Sequence, residues 1–246
     1  MIIARTPFRL SFFGGGTDFS GFFEKHGGAV LATTIDKYCY ISVHHLTQFF
    51  KHRFRATYSR TESVLTPEEF QHPLIRETLL MLDQRDGVEI SHVADLPGQT
   101  GLGSSSSFTV GMLNALHTYR GASVTAEELA RQAIHIERER VGDAGGWQDQ
   151  YEAAYGGFRR YDFHPNGTVT TRELALSAGR RQELENSLMM FYLGTESSAE
   201  KILQDQKKKT GSNEESLLAM KAMVDEGESI LTGSGPLTAF GDLLDE

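Results

Sequence analysis

Residues 97–107 are the segment best suited to chemistry, because glycine and serine recur in the run Pro-Gly-Gln-Thr-Gly-Leu-Gly-Ser-Ser-Ser-Ser. Glycines let backbone N–H groups converge on an anion, and serine hydroxyls can bind phosphate oxygen or a magnesium ion. A serine-capped surface turn is the alternative, but four successive serines are more than one helix cap requires. We therefore predict a polyphosphate-binding loop that contains Pro97, Gly98, Gly101, Gly103, Ser104, Ser105 and Ser106.

The glycine spacing of this loop resembles a Walker A motif. That motif requires a lysine after its last glycine, and this chain has Ser104 there. A P-loop NTPase is therefore disfavoured, and a magnesium ion is expected to supply more of the charge neutralisation.

Two acidic residues downstream could serve phosphoryl transfer, which needs charge neutralisation and a group that orients the acceptor proton. Asp149 follows paired glycines and Trp147, a setting that helix patterning explains poorly, although a helix N-cap is an alternative. Glu137 lies in a charge-rich helical stretch, where a solvated surface residue is the commoner case. His135 and Glu139 give only a weak metal-site signal.

The segment 7–19 contains a third candidate site. Asp18 follows the small residues Gly15, Gly16 and Thr17, and a carboxylate in such a setting can accept hydrogen bonds from sugar hydroxyls. Arg9 precedes them and can hold a phosphate or steady Asp149. We predict that residues 15–18 bind substrate and that Arg9 acts with Asp149 in catalysis.

Strand and helix patterns place these residues. Strands are predicted over 2–13, around 36–44 and over 88–94, the last leading into the glycine-rich loop. A helix over 105–119 follows the loop, and a second over 125–140 opens with a capping-box pattern. The turn 165–167 predicts a hairpin within 158–174, and 188–193 resembles a buried strand. This uneven mixture indicates an α+β fold.

Composition narrows the class of protein. The chain has 246 residues and a formal net charge of -9, which disfavours general nucleic-acid binding, since such binding depends on basic patches. The basic run 207–209 is expected to be a solvated helix end. No window approaches the about 20 apolar residues of a membrane helix, and the N-terminus lacks a signal-peptide pattern. We expect a cytoplasmic protein that binds neither nucleic acid nor membrane, with a homodimer left open. Cys39 is interpreted as a buried strand thiol.

The loop 97–107 resembles the second motif of the GHMP kinases, the superfamily of galactokinase, homoserine, mevalonate and phosphomevalonate kinases. The resemblance implies an α+β GHMP kinase fold, with a ribosomal-protein-S5-like N-terminal domain over 1–175 and a ferredoxin-like C-terminal domain over 176–246. It implies ATP bound over the loop and Mg²⁺ as cofactor. The family's third glycine-rich motif is absent from the sequence, so we expect a truncated C-terminal domain and a longer natural gene product.

The same resemblance assigns roles to residues. By position in the motif, Ser105 is the magnesium-linked hydroxyl. In galactokinases a helical glutamate precedes a Gly-x-x-Asp-Gln segment at similar spacing, which assigns Glu137 to magnesium and Asp149 to the acceptor hydroxyl. Galactokinases also carry an arginine and an aspartate at the separation of Arg9 and Asp18, but usually with Glu-His where this chain has Gly15-Gly16. That difference disfavours galactose as the acceptor.

The Gly-Gly-Gly-Thr-Asp, Ile-Glu-Arg-Glu and Gly-Gly-Trp-Gln-Asp-Gln segments look most like bacterial D-glycero-D-manno-heptose 7-phosphate kinases. The implied partners are ATP and a small sugar phosphate, and the implied product is the 1,7-bisphosphate used in nucleotide-activated heptose synthesis. A fucokinase- or galactokinase-like enzyme and a non-catalytic sugar or nucleotide sensor are the alternatives. Candidates for holding the 7-phosphate are Arg9, Lys37, Arg159 and Arg160.

Overall fold

A computed structural model describes residues 1–98, 100–191 and 213–246 and divides the chain into two compact units. The first unit comprises Met1–Arg9, Thr34–Ala144 and Asp149–Gly156, and the second comprises Leu10–Thr33, Gly145–Gln148 and Gly157–Glu246. The domain ranges 1–175 and 176–246 are inferred from the resemblance to the GHMP kinases and not from contacts between residues. They remain a prediction.

The strands of the first unit form a mixed sheet in which β4, β3, β5 and β2 are neighbours in that order. Pairing is antiparallel between β2 and β5 and between β3 and β4, but parallel between β3 and β5. Strands β1 and β2 pair with each other and contribute residues to both units. The strand bounds are Ile2–Phe13 (β1), Gly28–His45 (β2), Phe54–Thr57 (β3), Thr61–Val64 (β4) and Val88–Ala94 (β5).

The helices of the first unit supply the rest of its core. Buried Met112, Leu113 and Leu116 of α3 belong to one apolar cluster with Ile41 and Val43 of β2. The helix bounds are Pro73–Met81 (α2), Ser104–Tyr119 (α3), Ala126–Ile134 (α4) and Gln148–Tyr155 (α5), with a 3₁₀ turn at Pro67–Glu69. The predicted strand 88–94 and the helix that follows the glycine-rich loop are therefore confirmed.

The predicted capping box is present at the start of α4. The Thr125 side chain accepts from the Glu128 N–H at 3.2 Å, and a Glu128 carboxylate oxygen accepts from the Thr125 N–H at 2.8 Å. After Ile134 the helix continues as a π-helix over His135–Val141. Such widened turns are frequent at functional sites, and this one contains Glu137.

Two half-buried histidines flank Phe108 in the first unit. The His72 ring stacks on Phe108 at 5.2 Å between centroids, and the His92 ring meets it edge-on at 5.1 Å. Burial lowers the pKa of both rings, and the Glu62 carboxylate opposes that shift at His72. Both rings therefore favour the neutral form in the folded protein.

This pair predicts a loss of stability in acid. Because the folded pKa values lie below the unfolded value of 6.5, the unfolded chain binds more protons as pH falls below that value. We expect the free energy of unfolding to be unaffected by these rings above about pH 7. It should then fall as pH drops through their folded pKa values. Urea unfolding from pH 8 to pH 5 measures this, and a His72→Phe/His92→Phe double variant should show a shallower decline. An identical decline would contradict the assignment.

The second unit is built around a hairpin. The segment 28–33 of β2 pairs antiparallel with β6, which pairs antiparallel with β7, so the predicted hairpin is confirmed. Its apolar core contains Phe13, Leu31, Val224 and Phe240, with the Phe13 and Phe240 rings 5.2 Å apart. The remaining bounds are Phe158–Phe163 (β6), Val169–Glu173 (β7), Ser20–His26 (α1), Ala178–Ser187 (α6), Glu214–Thr232 (α7) and Thr238–Asp245 (α8).

The predicted buried strand 188–193 is wrong over its described part. Residues 188–191 follow α6 without forming a strand, and Met189 and Phe191 are largely exposed. An apolar run forms a buried strand only if it pairs with the edge of a sheet and another layer covers it. Among the described residues, no strand pairing involves this run. Residues 192–193 and the basic run 207–209 lie outside the described residues.

Cys39 lies buried in β2, and burial raises the pKa of its thiol to about 12. The thiol is therefore protonated at neutral pH and inert as a nucleophile. Within residues 1–98, 100–191 and 213–246, no helix is both long and apolar enough to cross a membrane.

Candidate active site

Arg9 joins the glycine-rich loop to Asp149 in the first unit. Its Nε and Nη2 atoms each donate to a carboxylate oxygen of Asp149 at 2.9 Å, and Nη1 donates to the Gly101 carbonyl at 2.6 Å. The Arg9 backbone N–H also donates to the Leu102 carbonyl at 3.2 Å. One β1 residue thus fixes two segments that lie about 90 and 140 positions away.

Gly103 lets these groups approach each other. Its φ is +74°, and a Cβ at this position would lie 3.1 Å from Arg9 Cγ and 3.5 Å from Asp149 Oδ2. Helix α3 begins at the next residue, where backbone N–H groups lack helical acceptors and favour anions. The Ser107 hydroxyl donates to the Pro7 carbonyl at 2.8 Å, which ties this helix start to β1.

Glu137 is 1% exposed and belongs to the same unit. Its Oε2 accepts hydrogen bonds from Ser106 Oγ at 2.9 Å and from Gln150 Nε2 at 2.7 Å. Burial raises the pKa of its carboxyl, an effect that the Arg138 guanidinium 3.7 Å away opposes. Oε1 is buried and has no hydrogen-bond partner among the described residues.

These features fit a magnesium ion. Mg²⁺ commonly uses one or two carboxylates and completes its shell with water and substrate phosphates. A buried carboxylate with one unsatisfied oxygen is costly without a cation, and a cation would offset that cost. No group of three or more His, Cys, Asp or Glu side chains suited to a metal occurs in the described parts of the chain. A site here would therefore depend on nucleotide oxygens as well as on Glu137.

The structure separates the two candidate serines. Ser106 is buried and bonds to Glu137, whereas Ser105 is exposed at the start of α3 and Ser104 is half-buried. Successive helical residues point about 100° apart, so only one of these neighbours can face a given carboxylate. The assignment of Ser105 to magnesium remains a prediction, and Ser106 becomes the serine that orients Glu137.

Asp18 lies in the second unit and is fully buried. Its Oδ1 accepts from the Gly16 N–H at 3.0 Å and its Oδ2 from the Gln148 N–H at 3.0 Å, while its carbonyl accepts from the Trp147 N–H at 3.2 Å. Asp18 therefore anchors the segment that directly precedes Asp149 in the chain.

The close approach of Gly146 to Asp18 leads to a testable prediction about how Asp18 holds this segment. A Cβ at Gly146 would lie 1.9 Å from Asp18 Oδ2, so Gly146→Ala must displace the carboxylate or the segment. We expect overpacking to cost about 1–3 kcal/mol, which lowers Tm by several degrees, together with a raised KM for the acceptor. Gly179→Ala is the matched control, since nothing lies within 4 Å of its added Cβ in α6. Thermal melting that fails to separate the two variants would refute the contact.

The neighbours of Asp18 have mainly backbone roles in this structure. The Thr17 hydroxyl contacts the Gly14 and Ala29 carbonyls at 2.7 and 2.8 Å and is fully buried. At Gly15, a Cβ would meet nothing closer than 3.8 Å. Substrate binding by residues 15–18 remains a prediction, and these contacts point to anchoring for Thr17.

The arginines and lysine considered for a sugar phosphate lie in different settings. Arg160 contacts carboxylates of Asp162, Asp225 and Glu228 at 2.5–3.0 Å, so its charge is already neutralised. The Arg159 guanidinium lies 3.6 Å from a Glu173 carboxylate oxygen, and Lys37 Nζ lies 3.3 Å from one of Asp36. These contacts disfavour Arg160 as a phosphate ligand and leave the other assignments as predictions.

Sequence reasoning missed two buried residues of α5. Gln150 donates to Glu137, and Glu152 lies 3.6 Å from Arg9. Their positions could have suggested them, because both residues lie on the helix that carries Asp149. Side chains one and three residues after Asp149 leave a helix at fixed angles relative to it.

The first unit brings three features together. They are the glycine-rich loop at the start of α3, the Arg9–Asp149 pair that contacts this loop, and the buried Glu137 carboxylate. Residues 73–157 match the family model of the GHMP kinases N terminal domain, and solved GHMP kinases share the fold. This match identifies a GHMP kinases N-terminal domain over these residues, and the similarity supports an ATP-dependent sugar kinase.

The chain is similar to D-glycero-alpha-D-manno-heptose 7-phosphate kinase of Campylobacter jejuni, with 28% identity over 90% of this chain and 68% of that protein. It is also similar to the crystal structure of a D-glycero-D-manno-heptose 1-phosphate kinase from Bacteroides thetaiotaomicron, with 26% identity and a TM-score of 0.73. That match covers 98% of this chain and 79% of the other.

Two further proteins similar to this chain are named for other acceptors. Galactokinase of Pyrococcus furiosus is 28% identical over 81% of this chain and 62% of its own length. The Methanococcus jannaschii mevalonate kinase structure has 18% identity and a TM-score of 0.67, over 98% of this chain and 75% of its own, and shows the shared fold alone. The sugar kinases among these relatives support phosphorylation of a sugar or sugar phosphate.

Proposed function

We propose that this protein transfers the γ-phosphate of ATP to the anomeric hydroxyl of D-glycero-D-manno-heptose 7-phosphate and forms the 1,7-bisphosphate. The observation that carries the proposal is the Arg9–Asp149 pair held against the Gly101 carbonyl beside the start of α3. A carboxylate next to a phosphate-binding helix start suits general-base and positioning roles in phosphoryl transfer.

In the proposed reaction the acceptor oxygen attacks the γ-phosphorus, and the bond to the β,γ-bridging oxygen breaks to release ADP. Asp149 receives or orients the acceptor proton. Arg9 fixes the Asp149 carboxylate by two parallel hydrogen bonds and holds the loop through Gly101. The backbone N–H groups at the start of α3, with Ser104 and Ser105, bind the phosphates.

Magnesium is proposed at Glu137 with a serine hydroxyl of the loop. When bound, it would neutralise phosphate charge that this loop lacks a lysine to neutralise. Gln150 and Ser106 bond to Oε2, which leaves Oε1 for the ion.

The heptose acceptor rests on the two heptose-phosphate kinases among the relatives, whose names differ in the position of the phosphate. An ADP-release assay with Mg·ATP tests the proposal. The acceptors are heptose 7-phosphate, heptose 1-phosphate, free heptose, fucose, galactose and mannose. We expect the highest kcat/KM for heptose 7-phosphate, and ³¹P NMR of the product should show a new anomeric phosphate.

If another sugar gives the highest kcat/KM, that sugar is identified as the acceptor in place of heptose 7-phosphate. Preference for fucose or galactose would support a fucokinase- or galactokinase-like enzyme. Tight ATP binding without ADP release for any acceptor would support a non-catalytic sensor.

A further inference from the structure

A second buried carboxylate faces Arg9. Glu152 is 1% exposed, and its Oε2 lies 3.6 Å from Arg9 Nε. Glutamate is rarely fully buried unless it is paired with a cation, so this position requires an explanation. The proposed function does not use Glu152.

Glu152 follows Asp149 by three residues on α5, so both side chains lie on one helix face. The Arg9 guanidinium therefore meets two carboxylates, Asp149 at 2.8 Å and Glu152 at 3.6 Å. One positive charge cannot neutralise two negative charges, and the trio carries a surplus negative charge when both carboxylates are ionised. Arg9 would keep a carboxylate neighbour if Asp149 turned away from it.

We propose that Glu152 is a positioning residue that holds Arg9 in place while Asp149 exchanges one of its two hydrogen bonds from Arg9 for one from the acceptor hydroxyl. The proposal rests on the proposed function of Asp149. Without Glu152, Asp149 would be the one carboxylate left to balance Arg9 among these three groups. Its release toward the acceptor would then be harder.

The first experiment does not require the protein to be active. It follows the Arg9 Nε–Hε signal by ¹⁵N NMR, and this signal is assigned because it disappears in the Arg9→Lys variant. In Asp149→Ala the signal should stay shifted from the free-arginine position, because Glu152 still faces Nε. In the Asp149→Ala/Glu152→Ala double variant it should move toward that position. An equal movement in Asp149→Ala alone would overturn the proposal, whether or not the protein proves active.

The second arm separates kcat from KM. Glu152→Gln should lower kcat about tenfold, equivalent to about 1.4 kcal/mol, and leave the KM for ATP and Tm nearly unchanged. Glu89→Gln is the matched control, since it removes a partly buried carboxylate that binds Arg55 at 2.6 Å elsewhere in the first unit. Glu152→Met, which keeps the side-chain length, replaces Glu152→Gln if that variant melts early.

The outcomes are distinct. An unchanged kcat in Glu152→Gln, or a proportional loss in kcat, ATP affinity and Tm, would overturn the positioning role. No ADP release by the wild-type protein with any acceptor would instead refute the proposed function, and the NMR arm would still decide whether Glu152 holds Arg9.

Discussion

Asp149→Asn should lower kcat by about 10²–10⁴-fold, because an amide cannot accept the acceptor proton. The substitution keeps the size of the side chain and one oxygen that can accept from Arg9, so the loop should keep its place. We therefore expect ATP affinity to change little. Single-turnover ³²P transfer measures the chemical step, and isothermal titration with a non-hydrolysable ATP analogue measures binding.

Asp162→Asn controls for loss of an arginine–aspartate pair. Asp162 accepts from Arg160 at 2.9 and 3.1 Å in the second unit and has no proposed role in transfer. Its kcat should match that of the wild-type protein. A fully active Asp149→Asn variant would remove Asp149 from catalysis, and a loss confined to ATP affinity would reassign it to the nucleotide.

Glu137→Gln should reduce Mg·ATP-dependent turnover by about 10²–10³-fold, the scale seen when one preorganised electrostatic contact is removed. It should also raise the magnesium concentration that gives half-maximal activity. Since burial raises the pKa of Glu137, the ionised carboxylate opposes folding in the metal-free protein. The neutral amide should therefore not lower Tm when magnesium is absent, and activity and stability should separate.

Two serine variants locate the metal-linked hydroxyl. If Ser105 binds magnesium, Ser105→Ala should shift the magnesium titration while Glu137 keeps its hydrogen bonds. Ser106→Ala removes a 2.9 Å hydrogen bond to Glu137 and should reduce metal affinity by about 10–100-fold, because the carboxylate loses a contact that orients it.

A magnesium titration that is unchanged in Glu137→Gln would exclude Glu137 from the metal site.

Local patterns predicted much of the site's framework. The strand 88–94, the helix after the loop and the Thr125 cap follow from side-chain periodicity and caps within about 15 residues. The run 188–191 shows the limit of this reasoning, because its burial depends on a sheet edge that an apolar pattern cannot supply.

Residue types and order alone determined that a glycine- and serine-rich loop lies between a strand and a helix, with acidic residues downstream, since these features are local. Only the tertiary structure decided that Arg9 meets Asp149 across 140 positions and that Ser106, rather than Ser105, faces Glu137. It also decided that Glu152 is buried beside Arg9. Such contacts depend on how strands and helices pack and on the rotational phase of each helix, and neither quantity is carried by a short segment of sequence.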